Sequence, residues 1–166
     1  MRAVVCVLAA LVATAAATAA PIDLPTLAAK QIQALDRKTQ VPILLPGKLP
    51  WARTTPKLYL DSWTTGRGWG LAVAAAPRCG GANACFVATF EATRGGALPA
   101  PSNLRLKGGQ RAFYVPIRCG ASCGPASLWF RHGGVVYAWQ LKEPPKGGKA
   151  ALAHLAEAAI AAGPRS

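Results

Sequence analysis

The chain has 166 residues, with 19 lysines and arginines against six acids, a formal net charge of +13, and five cysteines. That length supplies one ordinary domain with a real core and excludes a multidomain assembly. Beyond the first 20 residues no apolar stretch is long enough to span a bilayer, so the mature product is expected to be soluble.

The N-terminus reads as a processing segment. Arg2 is a minimal basic start, an apolar run follows over 3–17, and Ala17-Thr18-Ala19 fits the small-x-small cleavage rule. The run falls short of the ~20 residues of a spanning helix, which favours a cleaved signal peptide over an anchor. Cutting after Ala19 makes 1–19 the signal and 20–166 a single domain. It removes Arg2 and Cys6, leaving 18 cations against six acids and four cysteines. Heavy Ala, Gly, Pro and Arg usage suits a bacterial export product, periplasmic or secreted.

In chain order, Asp23 and Pro25 open a helix, with Pro tolerated in its first turn. Ala28, Ile32 and Leu35 then share one face, and Arg37-Lys38 suit the C-terminal end of the dipole. The Pro-punctuated run Val41 to Gly47 is extended, leading to a loop around Pro50-Trp51. From Lys57 the period becomes two. Leu58 to Trp63 is a strand, 64–68 a turn, Trp69 to Ala75 a second strand, and Phe86 to Glu91 an antiparallel third. The Gly/Pro-rich stretch 93–102 is expected to be a flexible loop. Leu104 and Leu106 alternate with Arg105 and Lys107, and Gly108-Gly109 leads into Arg111 to Arg118, where Phe113, Val115 and Ile117 share a face. Ser127 to Phe130 meets Val135 to Leu141 across His132-Gly133-Gly134, a short-turn signal. A helix over 149–162, with Leu152, Leu155, Ala159 and Ile160 on its apolar side, closes the chain. The expected fold is α+β: an antiparallel sheet of about five to seven strands in hairpins, with N- and C-terminal helices covering one face.

Cys79 and Cys85 bound one loop, Cys119 and Cys123 another, and each loop opens with Arg-Cys-Gly. Three pairings are open to four cysteines, and the local pairs are the simplest. On the chain-entropy model each local bridge is worth about 2 kcal/mol, against about 4 kcal/mol for a cross-pair spanning some 40 residues. Redox catalysis would want Cys-x-x-Cys at a helix start, and a zinc site would want two close knuckles. Neither pattern is present, and an oxidising compartment favours disulfides. No cofactor or metal is therefore expected.

Hydrolytic machinery is not visible. Acid–base or nucleophilic catalysis needs convergent titratable groups, whereas His132 flanks a turn, His154 sits in the closing helix and the acids are isolated. Asp61 and Glu91, placed on neighbouring strands, could approach each other. Tyr137 and Trp139 share a face with Val135 and Leu141 and suit a core. Trp51 and Trp69, next to turns and near Arg53 and Arg67, suit either a core edge or a stacking surface. The cations are scattered from Lys30 to Arg165, as on a solvated face. Arg78, Arg105, Lys107 and Arg118 are the candidates for an anion-binding surface.

The segment Val41 to Pro46, the two Cys-Gly loops, and the ending Gly134 to Lys142 with its helix resemble a group of uncharacterised exported bacterial proteins over most of the mature chain. That group has no known activity to carry over. A weaker likeness is to the invasion-associated locus B family of small exported four-cysteine β-proteins. The chain lacks that family's Trp-x-Val-x-Cys opening and Leu-Lys-Gly-Phe ending, and that reading is not adopted. The expectation is a non-catalytic exported accessory or binding domain whose basic surface meets an anionic envelope component or an acidic protein. The alternative is a small periplasmic hydrolase with an unrecognised site. Nucleic acid is set aside because export removes the usual targets.

Overall fold

The computed structural model describes residues 21–49, 57–80, 84–143 and 147–166. The expected signal peptide and the loop around Trp51 lie outside the described residues. The N-terminal part holds β1 (Ile22–Asp23), α1 (Leu24–Leu27), α2 (Ala29–Asp36) and β2 (Lys48–Leu49), with β1 and β2 paired antiparallel. Then come β3 (Tyr59–Thr65), β4 (Gly68–Ala74), β5 (Phe86–Arg94), β6 (Leu104–Arg105) and β7 (Arg111–Val115). A small hairpin, β8 (Arg118–Cys119) and β9 (Cys123–Gly124), precedes β10 (Ala126–His132), β11 (Val135–Leu141) and α3 (Lys149–Ala162).

Seven of these strands form one antiparallel sheet in the order β3-β4-β5-β11-β10-β7-β6. The fold is α+β, as the alternation and its flanking helical segments predict. Strand alternation gives the sheet two unlike faces. Trp69, Leu71 and Val73 of β4 pair with Ala92, Phe90 and Ala88 of β5, and these with Tyr137, Trp139 and Leu141 of β11. Ala126, Leu128 and Phe130 of β10 continue the rows, and all of these residues are buried. Phe90 and Phe130 each meet Trp139 edge-on, and Phe130 stacks on Tyr137.

This face is covered by the N-terminal segment and α3. α2 packs on β3, and α3 on β10. Between α2 and β2 the extended run Val41, Ile43, Leu44 and Leu45 is buried. The carbonyl of Pro42 accepts hydrogen bonds from Trp69 Nε1 (3.2 Å) and Tyr137 Oη (3.0 Å), which fixes the run to the sheet. Ile43 also bridges to Arg165, whose N–H donates to its carbonyl.

Several local expectations change. The N-terminal helix is broken in two at Ala28, although Asp23 caps the first part by accepting from the Thr26 N–H at 2.8 Å. Ala28, Ile32 and Leu35 are all buried regardless of that break. β3 runs on to Thr65, so the turn to β4 is only Gly66-Arg67. β5 extends to Arg94, so residues 93 and 94 are strand and the loop begins at Gly95, whose N–H is tied to the Gly134 carbonyl. Pro116 ends β7 before Ile117. Phe113 and Val115 do share a face, but it is the open one, and Ala112 and Tyr114 take the covered side. The β10–β11 turn is as tight as its glycines imply: Gly133 and Gly134 take φ of 55° and 75°, the left-handed pair a two-residue hairpin requires.

Both disulfides are local, Cys79–Cys85 and Cys119–Cys123. The first closes the long β4–β5 connection and the second spans the β8–β9 hairpin. Val73, Ala88, Leu141 and Ala126 lie in one cross-strand row, so both bridged loops project from the same end of the sheet.

Candidate functional site

The sheet's other face carries a trough along β4. To this face β4 presents only Gly68, Gly70, Ala72 and Ala74, so its floor is backbone and methyl groups. On one side β3 sets Tyr59 opposite Ala74, Asp61 opposite Ala72 and Trp63 opposite Gly70. On the other, β5 sets Phe86 opposite Ala74, Thr89 opposite Ala72 and Glu91 opposite Gly70. Gln140 of β11, the partner of Thr89, extends the polar row. Pro77, Arg78, Cys79 and Gly80 close the end nearest the first disulfide. The cavity so formed measures about 600 Å³.

Trp63 is the exposed tryptophan of this face, at 37% of its full surface. Its indole lies across β4 where Gly70 has no side chain: a methyl there would overlap Cε2 and Cζ2 of the ring. The ring therefore occupies the space that a side chain at position 70 would take. Trp69, one residue before Gly70 on β4, points the other way and is 2% exposed. It is a core residue and not a stacking surface, and Trp51 lies outside the described residues.

Asp61 and Glu91 line the same trough but are not on neighbouring strands, because β4 lies between β3 and β5. Two strand spacings and a two-residue step separate their backbones by roughly 12 Å. Asp61 accepts a hydrogen bond from the Ser62 N–H (2.9 Å), and neither carboxylate has an ion-pair partner among the described residues. Glu91 is accessible from the trough, yet partial burial desolvates its carboxyl and pushes its pKa above the ordinary value.

Arg78 has φ of +52°, the non-glycine residue in the left-handed region among those described. That conformation costs about 1–2 kcal/mol. The Cys79–Cys85 bridge and the hydrogen bond from Ala75 N–H to the Cys85 carbonyl (2.7 Å) constrain the loop around it.

The four cations considered for anion binding fall in separate places. Arg78 borders the trough, and Arg118 sits on the β8–β9 hairpin at the same sheet end. Arg105 is on the last strand of the sheet, at the opposite end, with Nη1 donating to the Gly109 carbonyl. Lys107 lies beside it, its backbone N–H donating to Glu157 Oε1 at 2.8 Å. The two histidines are also remote from the trough. His132 ends β10, and His154 lies on α3 with Nδ1 3.9 Å from Glu157 Oε2. No group of three or more His, Cys, Asp or Glu among the described residues is placed to hold a metal ion, and no helix there is long and apolar enough to cross a membrane.

A second, smaller hollow of about 350 Å³ lies between the β8–β9 hairpin and the sheet, with Ile117, Ser122, Pro125, Lys142 and Glu143 around it. Phe86 borders both hollows. The trough residues Tyr59, Phe86, Thr89 and Gln140 were not singled out by sequence reasoning. Their signal was the strand Gly-Trp-Gly-Leu-Ala-Val-Ala, in which every second residue is small, so that one face of β4 is a groove by composition. No protein-family model, curated protein or solved structure matches this chain.

Proposed function

We propose that the chain is an exported, non-catalytic binding domain that holds its ligand in the β4 trough, while its basic surface draws it to anionic material of the cell envelope. The observation that carries this reading is the trough itself. Aromatic and hydrogen-bonding side chains flank a floor stripped of side chains, on the sheet face opposite the one the helices cover. Pockets that combine apolar walls with a few placed polar groups are the usual form of a ligand site. With 18 cations against six acids once 1–19 is removed, the domain's net charge adds long-range attraction to anionic surfaces without specifying a ligand. The non-catalytic part rests on the chemistry present, since the trough holds no histidine and no nucleophile set beside a base.

Filling the floor separates the two contributions. Ala72→Phe should occupy the trough while leaving the cations in place. In binding to isolated envelope fractions, the variant should keep the component that salt removes and lose the salt-resistant one. Equal binding by variant and parent at every salt concentration would place recognition outside the trough.

One observation favours a hydrolase as the second reading: two carboxylates share the trough, and burial raises the pKa of Glu91 in the direction a general acid needs. It expects turnover that Glu91→Gln abolishes while binding persists. Recovery of bound ligand unaltered after prolonged incubation with the parent protein would rule it out.

A further inference from the structure

The shape and lining of the trough point to a neutral, linear oligosaccharide as its ligand. This inference rests on the trough being the binding site and goes further by naming the class of molecule. The Trp63 indole sits over Gly70 in the trough and keeps 37% of its surface exposed, an aromatic group against which the C–H face of a sugar ring can pack. Beside it stand Asp61, Thr89, Glu91 and Gln140, which together offer carboxylate, hydroxyl and amide groups. Each ionised carboxylate can accept from two hydroxyls, and such charge-assisted bonds are the stronger kind. Asp61 Oδ1 already accepts the Ser62 N–H, and no cation among the described residues is paired with either carboxylate, so Asp61 keeps part of that capacity and Glu91 more of it.

Competing ligand classes fit less well. A quaternary ammonium wants several rings converging on one point. Tyr59 and Trp63 are instead four residues apart on one strand, roughly 13 Å. That spacing suits an elongated ligand touching both. An anionic ligand would meet two carboxylates against the single arginine, Arg78, in the lining. A lipid chain laid in the trough would cover the polar row without giving it partners, which is costly.

The test titrates the mature protein with neutral tetrasaccharides of glucose, mannose and N-acetylglucosamine, followed by calorimetry and tryptophan emission, with tetramethylammonium as a cationic probe. At least one tetrasaccharide should bind. Trp63→Ala should weaken it about tenfold or more, the scale of losing one aromatic contact, and Trp63→Phe should recover part of the loss. Trp63→Ala alters an exposed ring, so it keeps the test informative if Ala72→Phe fails to fold. Tetrasaccharide binding that neither variant weakens would overturn the inference by placing the sugar elsewhere. Tetramethylammonium binding at Trp63 without saccharide binding would overturn it too. If no tetrasaccharide binds yet Ala72→Phe still abolishes the salt-resistant envelope binding, the saccharide assignment falls and the trough remains the site. If that envelope binding is also insensitive to Ala72→Phe, both readings fall.

Discussion

Gly68 and Gly70 lie two residues apart on one strand and face the same side, yet alanine should affect them very differently. At Gly70 the three atoms nearest the added methyl all belong to the indole of Trp63, a side chain that is 37% exposed and can lift. At Gly68 it meets the carbonyl oxygen of Ala92, part of the β4–β5 ladder. The Gly70 cost is bounded by the surface Trp63 would give up. About 60% of a large aromatic side chain, on the order of 120 Å², is worth roughly 3 kcal/mol at 25 cal/mol/Å². Replacing glycine in a strand returns about 0.5–1 kcal/mol. Gly70→Ala should therefore cost no more than about 2.5 kcal/mol. It should also raise acrylamide quenching of one tryptophan, identified by its absence in Trp63→Phe. Gly68→Ala has no such relief short of parting two central strands and should exceed about 3 kcal/mol, the range of severe core changes. Urea unfolding followed by circular dichroism measures both. Equal costs for the two variants, or unchanged quenching in Gly70→Ala, would refute the account of the trough floor.

Removing the Cys79–Cys85 bridge with serines should cost about 2 kcal/mol in urea unfolding and weaken ligand binding, because that loop closes one end of the trough. Removing Cys119–Cys123 should cost a similar amount and leave trough binding unchanged, as read by the same titration. Burial pushes the Tyr137 phenol up to about 12, so its contribution is whole below the ordinary value of 10.0 and is lost as pH rises through 12. Tyr137→Phe should flatten that alkaline limb of the stability curve. By losing one of two donors to the Pro42 carbonyl, it should also lower stability by about 1 kcal/mol at neutral pH. The raised pKa of Glu91 means the protonated form is favoured by folding. Its stabilising contribution is present below the ordinary value of 4.5 and fades as pH rises through the folded value. Glu91→Gln should remove that acid-side dependence and raise the urea midpoint at neutral pH; a lowered midpoint would contradict the desolvated setting given to this carboxyl.

Most of the architecture was legible because its causes are local. Alternation marked the long strands, Gly133-Gly134 marked the tight hairpin, and four closely spaced cysteines made local bridges the simplest pairing. The broken helix at Ala28 was not legible, since nothing in the periodicity of Ala28, Ile32 and Leu35 registers a change of axis. Nor was the face taken by Phe113 and Val115, because apolar residues on a half-open face look like core until the covering layer is known. The trough failed to show for a related reason. Its defining feature is absence, the missing side chains of Gly70 and its neighbours, whereas motif reading looks for groups that are present. Asp61 and Glu91 were noticed, but their relation depended on which strand lay between them.

The two hydrogen bonds converging on the Pro42 carbonyl also dictate when the structure can close. One comes from a residue 27 positions away and the other from Tyr137, 95 positions away, while Ile43 is joined to Arg165. The run around Pro42 and Ile43 thus completes its contacts only when β11 and Arg165 are in place. Contacts of such sequence separation slow folding. Until then the burial of Val41, Ile43, Leu44 and Leu45 is incomplete. The cover over the sheet is thus joined to the core by contacts that reach far along the chain rather than by its own neighbours in sequence.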